Sequence, residues 1–168
     1  GVASAVPTPF DENGVNIKVF TDFLKFQIEN NIDAIVVCGT TGESSTMTEL
    51  EKITAIKCAV ETSNGKVPVI AGTGSNNTKQ AIHMSKVAQK LGVDAVLLVT
   101  PYYNKTTQLG LIAHYTAIAE SIDIPIIIYN VPSRTGINIS PETCLELSKI
   151  DNIVAIKEAS GNISQVAD

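Results

Sequence analysis

The sequence predicts an α/β fold of the (β/α)8 TIM-barrel type, as an incomplete chain covering about the first six βα units. Three observations lead there. Apolar, strand-like runs begin near Val2, Ala34, Val67, Ala95, Ile126 and Ile153, roughly 30 residues apart, which is the length of one βα unit. Helical patterns fill the gaps between them. Polar residues suited to chemistry (Thr40, Thr41, Tyr102, Tyr103, Tyr129, Arg134 and Lys157) fall at or just beyond the C-terminal ends of the runs, the face on which barrel active sites are built. A doubly wound sheet is the other arrangement of such units. It gains little, because no G-x-G-x-x-G follows the first run, and Gly72-Thr73-Gly74 after the third run lacks the third glycine. The count falls two units short of eight, so the chain is expected to be a fragment of a barrel.

The elements follow in order. After the run at Val2 comes a helical pattern over 17–30, then the run at Ala34. Thr48-Glu49-Leu50-Glu51 is a capping box that opens a helix over 48–63, and Gly65 stands where a C-cap is expected. The run at Val67 leads to a helix over 77–91, with Gly92 as its C-cap, and the run at Ala95 leads to a helix over 106–121. Pro125 precedes Ile126-Ile127-Ile128 at a strand entrance, where proline is tolerated. Ser140-Pro141-Glu142 supplies an N-cap, a first-turn proline and a first-turn acid for a helix over 141–148. The run at Ile153 ends the series. No linker, low-complexity tract or heptad repeat interrupts it, so one domain over 1–168 is expected.

Composition narrows the function classes. With 44% hydrophobic and 17% charged residues the chain is expected to be a soluble, packed α/β protein. A net charge of −5 without a basic run argues against nucleic acid, and no apolar stretch approaches the ~20 residues of a membrane span. Cys38, Cys58 and Cys144 are odd in number and scattered, as expected of reduced thiols in a cytoplasmic protein. No secretory leader is visible, and the chain starts on Gly1 instead of Met, so its true start is expected upstream. His83 and His114 have no partner at metal-ligand spacing, and no metal or other cofactor is expected.

Lys157 closes the apolar run Ile153-Val154-Ala155-Ile156, which reads as a buried strand. Burial disfavours an ammonium, and a neutral amine can form a Schiff base with a carbonyl substrate. Alone, a lysine that leaves the sheet and reaches water is the commoner case. Three other segments change the balance. Gly39-Thr40-Thr41-Gly42-Glu43-Ser44 offers hydroxyls and loop N–H groups to a small carboxylate, though it is too short for a Walker loop. Pro101-Tyr102-Tyr103-Asn104 offers phenols able to relay protons. In Tyr129-Asn130-Val131-Pro132-Ser133-Arg134-Thr135-Gly136, Tyr129 should lie near Lys157. Arg134 is the only arginine among 12 basic residues, and guanidinium grips carboxylates bidentately. Together these are the tools of a Schiff-base lyase acting on a 2-oxo acid.

The motifs GTTGES (39–44), AGTGSN (71–76), TPYYN (100–104), YNVPSRTG (129–136) and IKEASGN (156–162) make the chain resemble the dihydrodipicolinate synthase family. That family belongs to the pyruvate-dependent class I aldolase group, which also holds N-acetylneuraminate lyase. The resemblance implies condensation of pyruvate with L-aspartate 4-semialdehyde on the path to diaminopimelate and lysine. It gives Lys157 the imine and Tyr129, Thr40 and Tyr103 a proton relay, with Tyr103 donated by a neighbouring subunit of a dimer or tetramer. It gives Thr41 the pyruvate carboxylate and Arg134 the carboxylate of the semialdehyde. Positions of a lysine feedback site carry Glu49 and Lys52 here, beside matching Asn76 and Tyr102, so weak inhibition by lysine is expected. The last two barrel strands and a helical C-terminal region of the family are expected to be absent. Another lyase of the same group, or an inactive fragment, are the competing readings.

Overall fold

The computed structural model describes residues 1–167. Its elements are β1 (Ala3–Ala5), β2 (Phe10–Asp11), β3 (Gly14–Val15), α1 (Ile17–Glu29), β4 (Ala34–Val37), a 3-10 turn (Ser44–Thr46), α2 (Glu49–Ser63), β5 (Val69–Gly72), α3 (Thr78–Leu91), β6 (Ala95–Val99), α4 (Gln108–Ala119), β7 (Ile126–Asn130), α5 (Pro132–Thr135), α6 (Pro141–Leu147), β8 (Ile153–Glu158) and α7 (Ile163–Ala167). The chain forms two compact units, residues 1–72 with 87–95, and residues 73–86 with 96–168.

In the first unit β1, β4 and β5 are parallel and adjacent in chain order, with Ser4 opposite Ile35 and Val36 opposite Ile70. There is no reversal of strand order, which a doubly wound sheet would need. Ile35, Val36, Val37, Val69, Ile70 and Ala71 are all buried. Continuous apolar strands of this kind belong to parallel sheets covered on both faces. α1 starts where the Asn16 side chain accepts the Val19 N–H, and it buries Phe20 and Leu24 on one face, one turn apart. Each such side chain removed from water contributes roughly 1.5–3 kcal/mol. The capping box of α2 is present as expected, Thr48 bonding the Glu51 N–H and Glu51 returning to the Thr48 N–H.

Several boundaries differ for local reasons. The third run begins at Val69, not Val67, because the Ser63 hydroxyl binds both the N–H and the carbonyl of Val67, and Pro68 has no N–H to give. The C-cap of α2 is Asn64, at φ 46°, with Gly65 following it. Gly92, at φ 89°, stands after α3 as expected. The hairpin of β2 and β3 was not visible in the pattern, since each strand has two residues. It turns through Asn13, whose N–H bonds the Asp11 carboxylate at 2.8 Å.

The second unit repeats the plan with β6, β7 and β8, again parallel and in chain order. α4 runs from 108 to 119, shorter than the expected 106–121, because the Thr107 side chain caps it by accepting the Gly110 N–H. It buries Leu111, His114, Tyr115, Ile118 and Ala119, the spacing of one helical face. The buried Tyr115 hydroxyl donates to the Leu98 carbonyl at 3.3 Å. The four-residue helix α5, with Pro132 in its first turn, is an element the sequence pattern missed.

Candidate active site

The ends of β7 and β8 bring together two of the residues the sequence singles out. Tyr129 stands opposite Lys157 in the ladder, and the Lys157 Nζ lies 4.4 Å from the centre of the Tyr129 ring. This is the expected neighbourhood of the two side chains. At that range an ammonium is attracted by the ring face, by about 0.5–1 kcal/mol where water is near. Tyr129 is buried at 7% exposure.

The expected burial of the lysine strand does not hold. Of β8 only Ile153 is buried; Val154 is 58% and Ile156 39% exposed, and Lys157 is exposed too. The cause is pairing: β8 is bonded to β7 on one side and to no other described strand. Lys157 therefore stands on an exposed strand and not on the buried one the sequence predicts.

One residue beyond the pair lies a polar cluster that sequence reading did not single out. Asn130 is fully buried, and its Nδ2 donates to the Glu158 carboxylate at 2.9 and 3.2 Å and to Asn138 Oδ1 at 2.8 Å. Its Oδ1 accepts the Ile139 N–H at 3.1 Å. Glu158 also accepts the Ser160 N–H at 2.6 Å. Burial alone would push the Glu158 carboxyl up. Hydrogen bonds from Asn130, Ser160 and the Ala159 backbone outweigh it and hold the carboxyl below its ordinary range. The signal was available: strand side chains alternate, so if Tyr129 and Lys157 share one face, Asn130 and Glu158 share the other.

The other residues of this unit are Tyr103 and Arg134. The Tyr103 N–H donates to the Thr135 carbonyl at 3.3 Å, tying the loop after β6 to α5. Tyr103 has φ 81°, a strained backbone for a bulky residue, and its side chain is 85% exposed. Arg134 lies in the last turn of α5, is exposed, and forms no ion pair among the described residues. In the first unit Thr40 and Thr41 are both exposed. Their loop is fixed beneath them: the Thr8 hydroxyl donates to the Gly42 carbonyl at 2.8 Å, and the Glu43 N–H to the Thr40 carbonyl at 3.1 Å.

The AGTGSN glycines have a packing role. A Cβ at Gly72 would run into the Cys38 carbonyl, and one at Gly74 would lie 2.5 Å from the Val99 nitrogen. Cys38, Cys58 and Cys144 are free thiols, and burial pushes Cys38 up to about 12. A cleft of about 430 Å³ opens on β8, lined by Ile128, Pro141, Leu145, Val154, Ile156 and Val166 among others, but neither Tyr129 nor Lys157 borders it. No described helix is long and apolar enough to cross a membrane.

The fold class is thus an incomplete (β/α)8 barrel, with a lysine and a tyrosine paired at adjoining strand ends. A sequence model of the dihydrodipicolinate synthetase family matches residues 1–168, and the chain belongs to that family. It is 59% identical to 4-hydroxy-tetrahydrodipicolinate synthase of Thermoanaerobacter sp. (strain X514) over 169 aligned residues, all of this chain and 57% of that protein. A crystal structure of a dihydrodipicolinate synthase superposes with TM-score 0.98 at 48% identity, covering 99% of this chain and 58% of the other. The chloride-inhibited dihydrodipicolinate synthase of Acinetobacter baumannii, complexed with pyruvate, superposes at 0.95 with 46% identity, covering 98% and 57%. The chain therefore spans a little over half the length of the curated relatives it matches.

Proposed function

We propose that this chain carries the Schiff-base machinery of a lyase that condenses pyruvate with L-aspartate 4-semialdehyde, the step named by 4-hydroxy-tetrahydrodipicolinate synthase, in lysine and diaminopimelate biosynthesis in the cytoplasm. The observation that carries the reading is the Lys157 amine lying 4.4 Å over the Tyr129 ring at paired strand ends. The amine adds to the pyruvate ketone carbon, and loss of water leaves an imine. The imine draws electrons from the pyruvate methyl group, which loses a proton to give an enamine. The enamine carbon then attacks the aldehyde and forms the new carbon–carbon bond.

Each step needs protons moved, and in this reading the phenol of Tyr129, whose ring lies against the amine, carries them. Thr40 and Tyr103 complete the relay in this reading. The exposure of Tyr103 supports its donation to a second copy of the chain, hence a homo-oligomer. Thr41 holds the pyruvate carboxylate from a loop whose backbone is already fixed. Arg134, exposed and unpaired among the described residues, binds the carboxylate of the semialdehyde.

The test is to incubate the chain with pyruvate, reduce with borohydride and map the labelled peptide by mass, with a full-length relative beside it. The expected adduct is on Lys157 and disappears in Lys157→Arg. Labelling of the relative at its own lysine, with none on Lys157 here, would remove the catalytic reading for this chain.

A further inference from the structure

The ladder between β7 and β8 changes register near its start. Ile126 stands opposite Ile153, but Ile127 stands opposite Ala155, which leaves Val154 as an extra, unpaired residue. That one residue decides what faces Tyr129. Continued unchanged, the first register would set Ile156 opposite Tyr129 and Lys157 opposite Asn130. Because side chains alternate, the amine would then lie on the wrong face of the sheet. The apolar rungs do not choose between these registers, since Ile, Val and Ala pair with one another in either.

The Asn130–Glu158 rung does choose. Asn130 is fully buried and bonds both carboxylate oxygens of Glu158, while its other end accepts the Ile139 N–H. The Ala159 N–H reaches the Asn130 carbonyl at 2.9 Å, closing the rung on the backbone side. A slip by one residue takes Glu158 away from Asn130 and leaves a buried amide without its anion. A buried amide whose anionic partner stands at one rung only, as Asn130 has in the half-buried Glu158, specifies register where apolar packing tolerates two.

We propose that Asn130 and Glu158 are positioning residues which, together with the Val154 bulge, lock the register that places Lys157 on the face of Tyr129. The catalytic consequence rests on the Schiff-base reading above; the register itself does not. Neither residue touches substrate in this scheme. Both act through the aim of the amine.

The experiment uses the chain labelled with 13Cε-lysine. In the wild type the Lys157 ε-methylene signal, assigned by its loss in Lys157→Arg, is expected upfield of the other lysines because of the Tyr129 ring current. Asn130→Asp sets two carboxylates against each other. It is expected to return that signal to the position of solvent-exposed lysines and to slow pyruvate–borohydride labelling of Lys157 about tenfold or more, the scale of a misplaced reacting group. Adding Glu158→Gln to Asn130→Asp exchanges amide and carboxylate across the rung and should restore both readouts. Deleting Val154 removes the alternative register, so in that background Asn130→Asp should leave the signal upfield.

An Asn130→Asp chain that is folded by circular dichroism with its signal unmoved overturns the proposal, as does an exchange no better than the single variant. If Asn130→Asp does not fold, the exchange decides: a folded exchange with the upfield signal supports the proposal, and an unfolded or unshifted one overturns it. The signal is read without pyruvate. A wild type that is never labelled therefore refutes the Schiff-base reading alone, while the signal still decides the register.

Discussion

The carbonyl oxygen of Cys38 fills the space that a side chain at Gly72 would need. Cys38 leaves β4 with φ 55°, so a strained turn brings its backbone against the last residue of β5. Both partners are main chain and cannot swing aside as a side chain would. Gly72→Ala is expected to cost about 2–3 kcal/mol, read from the urea unfolding midpoint. An unchanged midpoint would mean that the turn can yield.

His114 gives the fold a dependence on mild acid. It is buried, its Nδ1 is hydrogen-bonded with the Thr78 hydroxyl at 2.9 Å, and its Nε2 has no partner. Burial holds the imidazole below its ordinary value of 6.5. The unfolded chain therefore binds the proton first. Stability is full above about 6.5 and is lost as pH falls through the lower, folded value. The expected result is a Tm that drops as pH falls below about 6.5 in the wild type and drops less in His114→Gln.

Glu158 acts in a lower window. Its hydrogen bonds hold the folded carboxyl below the ordinary 4.5. Its contribution is present above that value and disappears as pH falls through the folded one. The Tm gap between wild type and Glu158→Gln should be widest near neutrality and close in acid below about 4.5. A gap independent of pH would show that the carboxylate charge does not contribute.

Arg134→Lys separates the two substrates. In a full-length enzyme carrying this segment, the semialdehyde KM should rise about tenfold, since a lysine cannot make the paired hydrogen bonds of a guanidinium. Pyruvate labelling of Lys157 should be unchanged. Loss of labelling would place Arg134 on the first substrate instead.

The strand series was legible because each run is apolar and each βα unit has similar length; β4, β6, β7 and β8 begin at the expected residues. Caps were legible for the same local reason, as Thr48 and Ser140 show. The neighbourhood of Tyr129 and Lys157 followed from strand ends. What escaped needed pairing information. The Val154 bulge leaves no mark in an apolar run, and the exposure of Lys157 depends on what lies beside β8, not on β8 itself. Asn130 and Glu158 lay inside recognised motifs, but their partnership spans 28 residues and appears only once the register is known. The two-residue strands β2 and β3 were too short for any period to show.

The Thr8 hydroxyl holding the Gly42 carbonyl has a consequence for ligand uptake. The loop bearing Thr40 and Thr41 is fastened at Gly42 from below, closed on itself by the Glu43 N–H, and anchored beyond by the cap of α2. Its chain entropy is surrendered when the protein folds, not when a ligand arrives. In the proposed reading, a carboxylate arriving at Thr41 meets a loop whose backbone these bonds already order, so its affinity is set mainly by the contacts it makes and the water it displaces.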